Sequence, residues 1–132
     1  MDYKIIDLQK HSDARGDLVS VEKSKEIPFE IKRIYYMYNT GDNVRRGYHA
    51  HKSLQQILIC VHGSCRIRLD DAFSTEEVLL DDPSKGLYLS SGIWREMYDF
   101  SEDAVLLVMA SELYDEDDYI RDYQNFCDSI RK

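Results

Sequence analysis

Two imidazoles stand two residues apart, His49 and His51, in the stretch RRGYHAHKSLQQILIC of residues 45–60. Three kinds of chemistry suit such a pair. Neutral imidazoles coordinate divalent metals, an imidazole takes and returns protons near neutral pH because its unperturbed pKa is about 6.5, and a buried ring can simply fill space. On a strand, residues i and i+2 face the same side, so both rings project together while Tyr48 and Ala50 face away. Gly47, just before them, permits a bend or a close ligand approach.

What shares that side decides among the three. The order His-x-His, then Gln56, then Gly63, resembles the first motif of the cupins, in which two histidines and a glutamate hold a divalent metal. Gln56 takes the glutamate's place. The second cupin motif brings a third histidine about forty residues later, and the corresponding stretch, GLYLSSGIWREM, carries Arg95 where that histidine is expected. A guanidinium is always cationic and binds no metal, whereas a divalent site needs three or four imidazole, thiolate or carboxylate ligands. The expectation is therefore no metal and no cofactor. The remaining histidines, His11 in a turn-like segment and His62 at a hairpin end, do not obviously restore a ligand set. Proton transfer by a same-face pair becomes the sharper reading, with packing as its plain rival.

Charge points the same way. The chain carries −8 overall, yet Lys32 to Arg68 holds seven cations (Lys32, Arg33, Arg45, Arg46, Lys52, Arg66, Arg68) against one acid, Asp42. That local balance of +6 leaves −14 for the rest, which argues against a nucleic-acid binder needing broad positive surface. The positive stretch surrounds the histidines, so a small anion such as a nucleotide phosphate suits it.

The elements that must position these groups are strands. Apolar segments of strand length (YKIIDL, LVSVEK, IKRIYYMY, QQILICV, SCRIRL, EEVLL, GLYLS, REMYDF and AVLLVMA) alternate with turn chemistry such as DARGD, NTGDN, VHGS and DDPSKG. In SCRIRL, Cys65, Ile67 and Leu69 alternate with polar residues, as on a half-exposed strand. AVLLVMA is apolar throughout and suits a strand covered on both faces. Asp115 to Lys132 has helical spacing, with Tyr119, Ile120, Tyr123, Phe126, Cys127 and Ile130 on one stripe and four acids, Asp115 to Asp118, at the positive end of the dipole. At 132 residues, 43% apolar and 11% aromatic, the chain has the size and composition of one globular domain spanning 1–132. No apolar run reaches the roughly 20 residues of a membrane span and the start lacks a secretion-signal layout, so a cytoplasmic location is expected. Cys60, Cys65 and Cys127 form no CxxC pair and read as reduced, buried thiols.

DARGDLVSVE, IPFEIKRIYYMYNT, RRGYHAHKSLQQILICVHGSCRIRLDD, GLYLSSGIWREM and LYDEDDYIRDYQNF together resemble the dTDP-4-keto-6-deoxyglucose 3,4-ketoisomerases, small cupins of bacterial surface-sugar pathways. The likeness covers nearly the whole chain. It implies an all-β cupin jelly-roll barrel with a C-terminal helix, no metal, a dTDP-linked keto sugar as substrate, and a homodimer with exchanged N-terminal strands. The family's catalytic histidines fall on His49 and His51. The resemblance and the chemistry of an enediolate together nominate Arg15, Tyr35 and Arg95 as its partners, with Arg33 and Arg46 on the diphosphate. Trp94 reads as a packing anchor and Arg66 and Arg68 as solvent-facing. Arg95 departs from the WHEM form of part of the family, which leaves the C4 configuration of the product, gluco or galacto, open. Three other readings stand beside a ketoisomerase: a nucleotide-sugar epimerase, a non-catalytic sugar-nucleotide binder and a metal-dependent cupin oxygenase.

Overall fold

Alternation drives the architecture: strands with one apolar face pair edge to edge and close their apolar faces on one another. The computed structural model describes residues 1–41 and 43–132, so Asp42, counted above in the basic stretch, lies outside the described residues. The strands are β1 (Tyr3–Asp7), β2 (Gln9–Asp13), β3 (Gly16–Ser20), β4 (Arg33–Met37), β5 (Arg46–His51), β6 (Gln56–His62), β7 (Cys65–Asp70), β8 (Thr75–Leu80), β9 (Lys85–Leu89), β10 (Trp94–Tyr98), β11 (Val105–Ala110) and β12 (Tyr119–Ile120), followed by helix α1 (Tyr123–Ile130). One sheet runs β1-β9-β6-β11-β4 and the other β12-β5-β10-β7-β8, while β2 and β3 form a separate hairpin. No described helix is long and apolar enough to cross a membrane.

Between the sheets lies the main core, with Leu58, Cys60, Cys65, Ile67, Leu69, Leu87, Leu89, Met97, Leu106 and Val108 buried together. The outer face of the first sheet is partly covered by the segment carrying Ile27 and Phe29, which packs on Ile57, Ile59 and Tyr88. Helix α1 lays Phe126 and Cys127 on Ala50 and Trp94 of the second sheet. Trp94 is the anchor expected of it, stacked against Tyr123 and Phe126. All three cysteines are free and buried.

Three sequence expectations are corrected. AVLLVMA is fully covered on one face and only partly on the other: Leu106, Val108 and Ala110 are buried, whereas Val105, Leu107 and Met109 are half-buried, Met109 against the outer cluster. The tail does not become helical at Asp115. Glu116–Asp118 forms a single 3-10 turn, and Tyr119 and Ile120 then pair with His51 and Ala50 of β5 before α1 begins at Tyr123 behind an Asp122 cap. The backbone groups of Tyr119 and Ile120 find a better partner across space than along the chain, which ends helical hydrogen bonding there. His11 sits on the exposed strand β2, whose all-polar sequence QKHSD gave no strand signal, rather than in a turn.

The bend foreseen at Gly47 is a β-bulge. In the β5–β10 ladder Arg95 faces His49 and Glu96 faces Gly47, so Tyr48 is the extra residue, and it takes a left-handed φ of 57°. Gly47 itself has φ +92°, and a Cβ there would meet the Arg95 carbonyl oxygen at 2.9 Å. Backbone cannot yield as a side-chain tip can. Gly47→Ala is therefore expected to lower the urea-unfolding free energy by at least twice the roughly 1–2 kcal/mol expected of Gly41→Ala, whose φ of +64° is also left-handed but whose nearest neighbour is 3.9 Å away. Equal losses from the two substitutions would contradict the close approach.

Candidate active site

The bulge turns His49 into the hollow between the sheets, and the regular pairing beyond it places His51 on the same side. His49 is 7% exposed and His51 0%. Their rings meet edge to face, 4.9 Å between centroids at 82°. Tyr119, brought opposite His51 by β12, packs on both rings at 5.0 and 4.4 Å. Next to them is a cavity of about 320 Å³ lined by Arg33, Tyr35, Met37, Arg46, Gly47, His49, Met97, Tyr114, Tyr119 and Arg121. His49 forms part of that wall, whereas His51 lies behind it.

The two rings have different partners. His51 Nδ1 lies 3.0 Å from Asp118 Oδ2, and Asp118 is held by the Ser53 backbone N–H, which donates to Oδ1 at 2.8 Å. A neutral ring paired in this way carries its proton on Nδ1 and leaves Nε2 free to accept. His51 Nε2 and both nitrogens of His49 have no hydrogen-bond partner among the described residues. Burial is the first cause that pushes the His49 pKa down to about 4, with the Arg95 guanidinium second. Burial and then Arg95 also push His51 down, to about 2. Both rings are thus neutral bases at physiological pH.

Arg95 is itself wholly buried. Its Nη1 donates to Gln56 Oε1, and its Nε and Nη2 donate to the Ile93 carbonyl at 3.3 and 3.0 Å. Burial lowers its pKa to about 10, which leaves it cationic at neutral pH. Gln56 Nε2 in turn donates to the Tyr35 hydroxyl at 3.0 Å. Burial above all raises the Tyr35 pKa, so its phenol keeps its proton. The positions that resemble the cupin metal motif are thus occupied by a Gln56–Arg95 pair, and the described residues contain no group of three or more His, Cys, Asp or Glu side chains able to hold a metal.

Of the residues nominated from sequence, the structure gathers His49, Tyr35, Arg33 and Arg46 on the cavity wall, with His51 and Arg95 in the layer behind. Arg95 is displaced from the substrate-contacting place expected of it, because its fork is filled by Gln56 and Ile93. Arg15 is not brought to this cavity within the chain: its side chain is 90% exposed on the β2–β3 hairpin, 2.6 Å from Asp13. Arg66 pairs with Glu77 and Asp99, and Arg68 with Asp70 and Glu96, at the surface. Asp118, Tyr119, Tyr114 and Arg121 were missed. The signal available for them was the unusually dense run YDEDDYIR, which reads equally well as the acidic start of a helix.

The depressed histidines make folding acid-sensitive. An unfolded imidazole takes a proton near pH 6.5, while the folded His49 refuses one until about pH 4. Stability is therefore full above pH 6.5 and lost as pH falls through that window, by about 2 kcal/mol per ring between pH 6.5 and 5. Urea-unfolding midpoints should drop over this range, with His49→Gln removing about half of the drop. A midpoint that is flat or rises on acidification would contradict the assignment.

Comparison with known proteins bears on this geometry. The TDP-4-oxo-6-deoxy-alpha-D-glucose-3,4-oxoisomerase of Aneurinibacillus thermoaerophilus is 51% identical over 132 residues, covering 100% of this chain and 95% of that protein. The crystal structure of a 3,4-ketoisomerase from Helicobacter canadensis matches with a TM-score of 0.96 at 48% identity, over 100% of this chain and 99% of that one. A histidine-to-asparagine mutant of the 3,4-ketoisomerase QdtA from Thermoanaerobacterium thermosaccharolyticum, in complex with TDP-4-keto-6-deoxyglucose, matches with a TM-score of 0.96 at 45% identity, over 98% and 94% of the two chains. The two facing sheets and C-terminal helix are the cupin-like barrel of these sugar isomerases. Residues 1–131 match the family FdtA, described as WxcM-like, C-terminal, and the chain belongs to that family.

Proposed function

We propose that the chain is a 3,4-ketoisomerase of TDP-4-keto-6-deoxyglucose, moving the carbonyl from C4 to C3. The observation that carries this reading is the pair of buried neutral imidazoles on a cation-rimmed cavity, in a chain 45–51% identical to proteins named for that activity. The reaction needs no net oxidant. A base removes the C3 proton, the C3–H pair becomes the C3=C4 bond, and the carbonyl pair moves to O4. The resulting enediolate collapses when the O3–H bond breaks and its pair forms the C3 carbonyl. The C3=C4 pair takes a proton at C4, and O4 takes up a proton equivalent to the one O3 releases, which leaves a neutral C4 hydroxyl.

His49 is the base, since it alone of the pair lies on the cavity wall with both nitrogens unpartnered. Its low pKa suits the empty site, and the negative diphosphate of a bound substrate moves it upward, toward the operating range of a general base. His51, anchored by Asp118, assists the return of the proton to C4. The Tyr35 hydroxyl stabilises the enediolate. Arg33 and Arg46 bind the diphosphate. Nearby Lys32, Arg45, Arg66 and Arg68 all have carboxylate partners, whereas Arg33 and Arg46 have none among the described residues. Arg33 Nε and Nη2 are buried and unpartnered, which leaves a guanidinium fork open to phosphate oxygens.

The enzyme works as a homodimer in which the N-terminal hairpin reaches the neighbouring subunit. Arg15 and the exposed Leu18 project from a hairpin that belongs to neither large sheet. Ile34 and Tyr36 of β4, an edge strand of the first sheet, form an exposed apolar row with Tyr38 just beyond it, where a second copy has surface to bury. Arg15 then completes the partner's cavity.

Incubation of the purified protein with TDP-4-keto-6-deoxyglucose in deuterated water, followed by NMR, is expected to give a product with its carbonyl at C3. A carbonyl still at C4 with deuterium at C3 would make it an epimerase, and no turnover would make it a binding protein. His49→Asn should lower kcat by at least about 1,000-fold without unfolding the chain. Arg15→Ala and His49→Asn homodimers should each be weak. Co-refolded as an equal mixture, they should regain about a quarter of wild-type activity, because half the dimers are mixed and each has one intact site. No regain would place Arg15 in its own subunit's site.

A further inference from the structure

Arg95 presents a puzzle: a fully buried cation paired with a neutral amide where a carboxylate would neutralise it. We propose that Gln56 is a positioning residue whose amide commits the Tyr35 hydroxyl to donate its hydrogen bond into the cavity. The inference rests on the ketoisomerase reading and deepens it.

The orientation follows from the valence of the groups. A guanidinium only donates, so the Gln56 atom facing Arg95 must be the oxygen. The other end of a planar amide is then the NH2 group, which lies 3.0 Å from the Tyr35 oxygen. The phenol must accept there. Its single proton points elsewhere, and no acceptor for it occurs among the described residues. Tyr35 lines the cavity, so that proton is held toward whatever oxygen the cavity receives. In the reaction above, that oxygen becomes negative only as the enediolate forms, which is when a fixed donor is worth most.

A glutamate at position 56 would satisfy Arg95 better and serve Tyr35 worse. Its carboxylate would pair with the guanidinium, but its second oxygen could only accept, drawing the Tyr35 proton away from the cavity. Gln56→Glu therefore separates the two roles. The urea midpoint should hold or rise, while kcat falls about 100-fold with little change in KM. Tyr35→Phe should show a similar loss of kcat, and adding Gln56→Glu to Tyr35→Phe should cost nothing further, because Gln56 acts through that hydroxyl. With 3-fluorotyrosine in place of Tyr35, Gln56→Glu should move the phenol titration to higher pH by 19F NMR, with no substrate present.

A Gln56→Glu variant that keeps kcat within about threefold, or a loss that adds fully to that of Tyr35→Phe, would overturn the proposal. So would an unshifted fluorotyrosine titration. Should the glutamate variant not fold, Tyr35→Phe still decides: full kcat in that variant removes the donor the proposal depends on. Absence of turnover in the wild type would instead sink the ketoisomerase reading, while the titration shift would still report the Gln56–Tyr35 bond.

Discussion

A guanidinium sealed between two sheets, with no carboxylate at ion-pair distance among the described residues, shapes the electrostatics of this site together with the burial that surrounds it. Arg95 cannot shed its charge at neutral pH, and the low local polarisability lets that charge reach its neighbours with little screening. Burial first and the Arg95 charge second hold His49 and His51 neutral, and Arg95 opposes the burial that raises the Tyr35 pKa. The rings stay available as bases because protonating either would bury a charge away from water and, in addition, place a second cation beside the first. The same charge favours an anion in the adjoining hollow, where an enediolate and a diphosphate both belong.

Holding Arg95 there is the work of the barrel. β10 lies between β5 and β7, so Arg95 has strand neighbours on both sides and faces His49 directly. The facing sheet supplies Gln56 from β6 and Tyr35 from β4. The bulge at Tyr48 tilts His49 forward onto the cavity wall, and the returning tail closes the hollow with Tyr119 while delivering Asp118 to His51. Five segments of the chain thus converge on one small volume, which only long-range strand pairing can arrange.

Features set by local alternation were legible in the sequence. Cys65, Ile67 and Leu69 are buried while Arg66 and Arg68 are half-exposed, as SCRIRL implies, and the i, i+2 spacing of His49 and His51 does place both rings inside. Features set by non-local pairing were not. Tyr119 and Ile120 sit in a stripe that fits a helix equally well, and only the open edge of β5 makes them a strand. Asp118 looked like a dipole-complementing acid for the same reason. The polar strand β2 has no apolar face to announce it, and all five of its residues stay exposed. Arg95 was identified as important by its place in the GLYLSSGIWREM stretch, but that place could not reveal that Gln56 and Ile93 would occupy its donors and withdraw it from the wall.

The protonation state of the histidine pair is the most direct test. Long-range 1H–15N NMR of the imidazoles in the substrate-free protein should show both rings neutral from pH 5.5 to 8, with His51 as the Nδ1–H tautomer facing Asp118. A titration of either ring near its ordinary value of about 6.5 would contradict the account, because burial and the charge of Arg95 would then not be holding the rings neutral.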